Sequence, residues 1–590
     1  MGVAIRAINL TKYYGDLLAV DHVNFEVKEG EIFGFLGPNG AGKTTTVRML
    51  TGISRPTEGT AEIMGFDIQR QSVKAKELIG MVTDISNVYT ELSAWDNLIF
   101  MGRLYDIPKP KREKKAERLL RLFNLYDRRN EKVEGFSRGM RRRLCIAMAL
   151  MNDSSVLFLD EPTAGLDVQS ILTIRDLIRE LNQEGLTIFL TTHNMEEANE
   201  MCDRVAIINK GKIVAIDTPE RLKRTIKRLQ SVEVSFYAAK EGLIKDLEAF
   251  PAVTKVMKYG DKYRIYTENP PEVLSALCEY AKANGLRIIT LNTLGPSLAD
   301  VFIELTGIKP EVGPGMFKGG LWARKKGYEV KSRDRRGATL VEAHRLLREL
   351  RVAWAIGEKD IKIYYAKFPS LMFGVLFPFS MFLAFVVGRK MPISRSIPVL
   401  VAQTLFFASS TIGPVTIPLE RRIRTFDRFL IAPVSLITVL LGKTIAGFLY
   451  GILVSTIPVV IGSLVFHSSV TDPLALIIGM ILSALCFAAM GIMFASIPGQ
   501  SPGQVMMPLN FVRIPLLFIS GVFIPVKELP PWGQAVSLFS PLTHTIELLR
   551  EGLGGGSTFG LPINMAALLL YLALFLYIGI RFHIINQKRE

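Results

Sequence analysis

The stretch that decides the fold is Gly37-Pro38-Asn39-Gly40-Ala41-Gly42-Lys43-Thr44, which has the form GxxxxGK[ST]. It follows the apolar run Ile32–Leu36 and precedes the helical pattern Thr45–Leu50, so it is expected to join a buried strand to a helix. Glycines in such a loop let backbone N–H groups wrap phosphate oxygens at a helix N-terminus. We expect Lys43 to reach the β- and γ-phosphates of a nucleotide and the Thr44 hydroxyl to hold Mg²⁺.

A second motif completes this predicted site. Val156–Glu161 reads as an apolar strand that ends in two carboxylates. Asp160 is expected to complete the Mg²⁺ coordination shell, and Glu161 to polarise the attacking water. Acidic residues also end many solvent-facing strands, so the pair is informative mainly because it accompanies the phosphate loop.

A third segment, Phe136-Ser137-Arg138-Gly139-Met140, lies between these two motifs. The arrangement resembles the ABC transporter ATPase, whose Ser-x-Gly signature reaches the ATP of the opposite subunit. The resemblance implies ATP and Mg²⁺ as cofactors and His193 as the side chain that senses the γ-phosphate. A lone surface histidine would otherwise be the default, but an apolar strand, Thr187–Leu190, leads towards it. The residues that the resemblance places on ATP are Tyr14, Gly37, Asn39, Gly40, Gly42, Lys43, Thr44, Thr45, Ser137, Gly139 and Asp167.

Two departures from the family pattern stand out. Arg138 and Met140 replace the glycine and glutamine of many signatures, a variant that resembles the drug- and lipid-exporting branch. Asp84 stands where the family usually has a glutamine that touches Mg²⁺ and faces the membrane domain. An aspartate can also ligate Mg²⁺, so Asp84 joins Thr44 and Asp160 as a predicted metal ligand, although it adds a negative charge beside the phosphates.

Composition divides the chain into a charged half and an apolar half. The 590 residues are 49% apolar and 21% charged, but 370–580 is a succession of long apolar runs. The net charge of +16 suits nucleic-acid binding or basic residues gathered on the cytoplasmic side of a membrane protein. We favour the second interpretation and expect no nucleic-acid partner. The four cysteines show no paired spacing, so neither a disulfide framework nor a metal cluster is predicted.

We predict a multidomain protein with four segments. Residues 1–230 form an α/β P-loop ATPase domain, and the strand–helix pattern of 231–306 suits a small α+β, ferredoxin-like domain. Residues 307–349 are a basic linker; a nucleic-acid arm is disfavoured because no aromatic stacking platform accompanies the charge. Residues 350–590 form an all-α, six-span transmembrane domain, entered through an interfacial helix over 340–367.

Six apolar stretches are near the ~20 residues needed to cross a bilayer. They are 370–388, 397–417, 437–462, 474–496, 505–525 and 563–582. An even number places both termini on one side. Basic residues between the second and third stretches and after the sixth assign that side to the cytoplasm, although one predicted external loop, 389–396, is basic as well.

The second half resembles the type-two ABC export permeases. The resemblance rests on Thr425–Ser435, Ser520–Pro525 and Ser540–His544. It implies that 420–435 is a cytoplasmic coupling helix docking on the ATPase, and that 526–550 is a partly re-entrant element.

The two resemblances together predict an ATP hydrolase coupled to export, in a prokaryotic cell membrane. A homodimer is expected because each phosphate loop needs the signature of another copy; pairing with a second half-transporter stays open. Membrane lipids and a hydrophobic or amphipathic substrate (drug, lipid or glycolipid) are the expected partners. The alternative is a mechanotransmitter that drives an outside partner without moving a substrate. An importer would need a binding protein, and the apolar stretches exclude a soluble ribosomal ATPase.

Arg513 is the candidate for the substrate pathway. It falls near the middle of the fifth apolar stretch, where a charge is expected to face protein or water, and Asn510 lies on the same helical face. The alternative is a structural arginine that reaches the headgroups or neighbouring carbonyls. Lys443, near the cytoplasmic start of the third stretch, is expected to be only a membrane anchor.

Overall fold

The computed structural model describes residues 2–225, 230–237, 242–295, 297–306, 339–389, 393–466, 470–499, 501–554 and 557–589. Residues 307–338 of the predicted basic linker lie outside the described residues. We call 2–225 the N-terminal region, 230–295 the small-sheet region and 339–589 the helical region.

The described strands form three sheets. In chain order they are β1 Val3–Tyr14, β2 Leu17–Lys28, β3 Ile32–Leu36, β4 Glu58–Ile63, β5 Phe66–Asp67, β6 Ile79–Val82, β7 Val156–Asp160, β8 Thr187–Thr192, β9 Arg204–Asn209, β10 Lys212–Asp217, β11 Gln230–Phe236, β12 Val253–Tyr259, β13 Lys262–Thr267 and β14 Ile288–Leu294.

The described α-helices divide between the three regions. Up to the linker they are α1 Lys43–Leu50, α2 Ser72–Glu77, α3 Ala94–Leu104, α4 Lys109–Leu122, α5 Arg138–Ala149, α6 Val168–Gln183, α7 Met195–Met201, α8 Pro219–Arg224, α9 Leu243–Glu248, α10 Pro270–Ala283 and α11 Leu298–Thr306. The helical region contains α12 Thr339–Tyr364, α13 Phe368–Leu371, α14 Phe377–Arg389, α15 Ile393–Arg422, α16 Asp427–Ile431, α17 Leu436–Phe466, α18 Pro473–Ala495, α19 Pro502–Ile519, α20 Pro531–Ser537, α21 Pro541–Gly552 and α22 Leu561–Arg589.

A six-stranded sheet in the order β10-β9-β3-β8-β7-β6 is the centre of the N-terminal region. The strands from β9 to β6 are parallel, and β10 pairs antiparallel with β9. Strands β3, β7 and β8 are buried along their whole length, which explains why they are nearly continuous apolar runs. Parallel strands end at a common edge, so the segments after β3, β7 and β8 lie close together.

The small-sheet region is an antiparallel sheet in the order β12-β13-β11-β14 with helices α9 and α10. Its elements follow the chain as strand, helix, strand, strand, helix, strand, in the predicted sequence order. The ferredoxin-like assignment itself stays a prediction. Helix α11 returns to the N-terminal region, where Leu298, Val301 and Phe302 join the main hydrophobic core.

Within the described part of the helical region, four helices are long and apolar enough to cross a membrane. They comprise Ser396–Arg422, Leu436–Leu464, Pro473–Ala495 and Leu561–Asn586. A bent pair, Leu346–Tyr364 with Phe368–Ala384, would add a fifth; the two helices meet at 92°. The predicted stretch 505–525 corresponds to helix α19, which ends at Ile519. The six-span count therefore stays a prediction.

Candidate nucleotide site and its link to the helical region

The predicted phosphate loop joins β3 to α1, as the sequence indicated. Gly42 has a left-handed backbone (φ 103°), and a Cβ there would lie 2.6 Å from the Ala19 carbonyl oxygen, so only glycine fits. Lys43 Nζ donates hydrogen bonds to the carbonyl oxygens of Gly37 (2.7 Å) and Pro38 (3.2 Å). The lysine is thereby folded back across its own loop, where phosphate oxygens are expected.

Asp160 ends β7 beside this loop and is 1% exposed. Its Oδ1 accepts a hydrogen bond from Thr191 Oγ1 (2.5 Å), whereas its Oδ2 is buried and has no partner among the described residues. Burial raises the pKa of Asp160, and the neighbouring Thr191 and Thr44 hydroxyls oppose that rise. A carboxylate with an unpaired buried oxygen near a threonine hydroxyl is the kind of donor set that Mg²⁺ accepts.

Glu161 connects the lysine of the loop to the predicted switch histidine. Its Oε1 lies 3.3 Å from Lys43 Nζ, and its Oε2 lies 2.7 Å from His193 Nδ1. Its backbone is left-handed (φ 50°), a strained conformation for a residue with a side chain. The backbone N–H donates to Thr191 O (3.1 Å), which fixes the residue against the end of β8. The structure thus brings Lys43, Asp160, Glu161 and His193 together at one sheet edge.

The signature segment and Asp167 meet each other at the starts of α5 and α6. Ser137 caps α5 by accepting a hydrogen bond from the Met140 N–H (3.2 Å), and Asp167 caps α6 by accepting one from the Ser170 N–H (2.9 Å). A Cβ on Gly139 would lie 2.3 Å from Ser170 Oγ, so the two helix starts are in close contact. Among the described residues, no hydrogen bond joins Ser137 or Gly139 to the phosphate loop.

The other predicted ATP contacts occupy the surroundings of the loop. Asn39 and Gly40 are exposed at its tip, and Thr45 is half-buried in the first turn of α1. Tyr14 ends β1, and the Lys12 ammonium lies 5.0 Å from its ring centroid. The roles of all these residues stay predictions.

Asp84 pairs with the helical region. Its Oδ1 lies 2.6 Å from Arg424 Nη1, and both side chains are 37% exposed. Its carbonyl oxygen accepts from Arg142 Nη2 (2.7 Å), and the same guanidinium also donates to the Thr83 and Glu161 carbonyl oxygens (2.5 and 3.1 Å). The sequence does not single out Arg142, because it stands among other basic residues and belongs to no recognisable motif. The metal-ligand assignment of Asp84 stays a prediction.

The segment 420–435, which we call the coupling segment, docks on the N-terminal region. Arg428 is 2% exposed; its Nε donates to the Asn87 carbonyl oxygen (2.5 Å), and its Nη2 donates to Cys145 Sγ (3.0 Å). Phe429 packs edge-on against Phe100, with ring centroids 6.2 Å apart. The α-helix of this segment, α16, has only five residues.

Glu420, the first residue of the coupling segment, belongs to a buried charge quartet with Lys359, Asp360 and Lys443. Lys443 Nζ lies 2.7 Å from Glu420 Oε2 and 3.1 Å from Asp360 Oδ2, and Lys359 pairs with the same two acids. None of the four side chains is more than 2% exposed. The prediction that Lys443 is only a membrane anchor is wrong, because sequence position alone does not reveal the two acids brought to it by α12 and α15.

Family models match the two halves of the chain separately. The ABC transporter model matches residues 20–164, and the ABC-2 type transporter model matches residues 351–553. A third model, the C-terminal domain of DrrA1-3-like ATP-binding proteins, matches residues 218–306.

The N-terminal half is similar to whole ATP-binding proteins of bacteria. The linearmycin resistance ATP-binding protein LnrL of Bacillus subtilis is 33% identical over 51% of this chain and 98% of its own length. The chain belongs to the ABC transporter family. The Nod factor export ATP-binding protein I of Cupriavidus metallidurans is 36% identical over 52% of this ABC transporter and 98% of the relative. The daunorubicin resistance ATP-binding protein DrrA2 of Streptomyces coeruleorubidus is 35% identical over 52% and 97%. A solved ATP-binding cassette, described as a dimeric post-hydrolysis state with ADP and phosphate, is 26% identical over 36% and 98%, with a TM-score of 0.34.

These matches confirm the ABC ATPase fused to an ABC-2 type permease. The protein is an ATP hydrolase coupled to transport and is embedded in a membrane. ABC ATPase domains work as dimers. The bacterial relatives point to a prokaryotic membrane.

Proposed function

We propose that this ABC transporter exports a hydrophobic or amphipathic compound (a drug, lipid or glycolipid) as a homodimer of fused ATPase–permease chains. The observation that carries the proposal is the continuous path from the nucleotide site to the helical region. Arg142 holds the carbonyl oxygens of Glu161 and Asp84, and the Asp84 carboxylate pairs with Arg424 of the coupling segment. A rearrangement around the bound γ-phosphate would therefore act directly on the helices that form the permease.

The chain's own residues fit the chemistry of ATP hydrolysis. Glu161 is positioned to accept a proton from the attacking water once the γ-phosphate draws Lys43 away from it, and His193 holds the carboxylate in place. Mg²⁺ would be held by Asp160 and Thr44; Asp160 Oδ2, buried without a partner, is the observation that supports this fit. When bound, the ion would neutralise charge on the phosphates. The described residues offer no cluster of three or more His, Cys, Asp or Glu side chains for a metal, as suits an ion held mainly by phosphates and water.

The homodimer is supported by the contacts of the signature, which among the described residues include no hydrogen bond to the phosphate loop of the same chain. Ser137 and Gly139 contact the start of α6 instead. A second copy facing the first would supply the missing signature to each site. Pairing with a different half-transporter would satisfy the same requirement, and a molar-mass measurement of the purified chain separates the two.

We further infer that both termini lie in the cytoplasm, with six spans between them. The docking of the coupling segment on the ATPase supports a cytoplasmic side at 420–435, where basic residues gather. Helix α19 would supply the sixth span if the bent pair counts as one. The order β12-β13-β11-β14 supports a ferredoxin-like small-sheet region. The mechanotransmitter alternative has no support among the relatives, which are described as resistance or export proteins.

The test is ATP-dependent transport by the purified protein in liposomes. Glu161→Gln is expected to lower steady ATP hydrolysis by at least ~100-fold, the usual scale for a positioned base, and to stop transport. ATP binding should persist, because Lys43 and the backbone of the phosphate loop are unchanged.

Glu196→Gln is the matched control, because Glu196 is an exposed carboxylate three residues beyond His193. Its hydrolysis and transport rates should equal those of the unmodified protein. Parental hydrolysis by Glu161→Gln would show that the base is misassigned. The transport assay uses a panel of drugs, lipids and glycolipids, and normal hydrolysis by the unmodified protein without ATP-driven movement of any of them would reject export.

A further inference from the structure

Arg513 interrupts the apolar stripe by which α19 packs against the helical region. The stripe contains Val505, Leu509 and Leu517, and each of them is fully buried. Arg513 lies between Leu509 and Leu517, so that it is third in a series of four positions spaced four residues apart, and it is itself 0% exposed. Most of the remaining α19 side chains are exposed or half-buried. The helix thus holds a single cation on its main buried face.

The groups that contact the guanidinium of Arg513 in the described structure are neutral. Its Nη2 donates to Ser410 Oγ (2.5 Å) and lies 3.4 Å from Thr411 Oγ1, both on α15. Its Nη1 donates to Asn510 Oδ1 (3.3 Å), and the Phe407 ring centroid lies 5.2 Å from its central carbon. Both hydroxyls donate their own hydrogen to α15 carbonyl oxygens one turn earlier, so they offer Arg513 lone pairs only.

Within the described part of the helical region, no acidic side chain pairs with Arg513. Its Nε is buried without a hydrogen-bond partner among the described residues. A buried cation without a counter-charge is unfavourable, and apolar residues would fill this position at lower cost. The planar guanidinium matches carboxylate, sulfate and phosphate groups, which accept two parallel hydrogen bonds from it.

Both helices are weakened at the level of this site. Pro414 follows Ser410 by four residues in α15, and Pro515 follows Arg513 by two in α19. Each proline removes one backbone hydrogen bond from its helix and favours bending there. Asn510 is only half-buried, so it marks the edge from which a ligand would reach the guanidinium.

The packing of α15 shows which side can open. A Cβ on Gly491 of α18 would lie 2.5 Å from the Ser410 carbonyl oxygen, and one on Gly447 of α17 would lie 2.7 Å from that of Ser409. Helix α15 is thus in close backbone contact with α17 and α18. Helix α19 is held mainly by one stripe of side chains, so its separation from α15 is the movement that would expose Arg513.

We propose that Arg513 and Asn510 bind the anionic headgroup of the exported amphiphile between α15 and α19, where the headgroup replaces the Ser410 and Thr411 hydroxyl oxygens as acceptor of the guanidinium N–H groups. The substrate class is then an acidic amphiphile that carries a phosphate, sulfate or carboxylate. The inference rests on the proposed export function, which it narrows.

The test is direct binding, which needs neither hydrolysis nor transport. Full-length protein in a neutral maltoside detergent is titrated into probes that share one fluorescent dodecyl tail and carry a sulfate, a trimethylammonium or a glucoside headgroup, and anisotropy is recorded. The sulfate probe is expected to bind about 10-fold or more tightly than the other two, the scale of hydrogen bonds to a buried charge.

Four variants locate that preference. Arg513→Gln should remove the sulfate preference. Arg513→Lys should keep part of the preference, because lysine retains the positive charge but cannot form the two parallel hydrogen bonds of the guanidinium. Arg581→Gln, which changes an exposed arginine of α22, is the matched control and should keep all of it. Asn510→Leu should weaken sulfate binding by a smaller factor and serves if Arg513→Gln does not assemble.

Two results would overturn the proposed site. The first is equal affinity of the unmodified protein for the three probes. The second is an undiminished sulfate preference in Arg513→Gln or, if that variant does not assemble, in both Arg513→Lys and Asn510→Leu. Failure of the export function gives a different pattern, in which the sulfate preference depends on Arg513 but no probe crosses the membrane with ATP.

Discussion

Replacing Lys443 with methionine is expected to destabilise the helical region by about 3–5 kcal/mol, the usual cost of removing one partner from a buried ion pair. Lys443 Nζ lies 2.7 Å from Glu420 Oε2 and 3.1 Å from Asp360 Oδ2, and all three side chains are fully buried. The charge quartet is neutral, with two lysines and two acids. Without Lys443, only Lys359 remains to balance the two carboxylates, so one negative charge stays buried and uncompensated.

A second substitution tests whether charge balance is the cause. Glu420→Gln alone leaves an excess positive charge and should be costly as well, whereas Lys443→Met with Glu420→Gln restores neutrality. The loss of unfolding free energy in the double variant is expected to be about 2 kcal/mol smaller than the sum of the losses in the two single variants, within the range found for contacting residues. Thermal unfolding of the detergent-solubilised protein, calibrated with denaturant, measures all three variants.

The control is Lys527→Met, because Lys527 is an exposed lysine of the same region and should be nearly neutral. Wild-type stability of Lys443→Met, or single effects that simply add in the double variant, would refute the reasoning. The quartet also contacts the coupling segment, because Glu420 belongs to it and Lys443 Nζ is 5.6 Å from the Phe429 ring centroid. The single variants that still assemble are therefore expected to hydrolyse ATP with weaker coupling to transport.

Two further predictions concern the nucleotide site. In mixed dimers, Ser137→Arg on one chain and Lys43→Ala on the other should leave one intact composite site, so the mixture hydrolyses ATP while either homodimer does not; equal activity in all three would contradict the head-to-tail arrangement. Each of the changes Asp84→Arg and Arg424→Asp should weaken the coupling of ATP hydrolysis to transport, and combining them, which exchanges the two charges, should recover part of that coupling. Both side chains are more than one third exposed, so the pair is expected to contribute only about 0.5–1 kcal/mol, or roughly 2–5-fold. No recovery, with an altered Mg²⁺ requirement in Asp84→Asn, would instead favour the metal-ligand role.

The sequence alone determined the fold of the nucleotide site. Local spacing places a glycine-rich loop after an apolar strand and two acids at the end of another, and parallel strands bring such ends to one edge of a sheet. Lys43, Asp160 and Glu161 could therefore be named from the sequence pattern, and His193 from the family resemblance. The positions of the helical spans followed from the lengths of the apolar stretches, because a helix needs about 20 apolar residues to cross a bilayer. Their number did not, since the bend between α12 and α13 and the short α19 depend on packing.

Only the tertiary structure decided how the two halves communicate. Asp84 and Arg424 are 340 positions apart in the chain, and the quartet draws its members from α12, α15 and α17. A charged residue in a sequence shows its own charge but not its partner, because the partner is set by which helices cross at that point. Lys443, predicted to be only a membrane anchor, is a buried ion-pair partner, whereas Arg513, in a similar apolar setting, has no acid beside it in the described structure. Sequence placed both charges in the membrane domain, and the crossing of the helices decided which of the two was balanced.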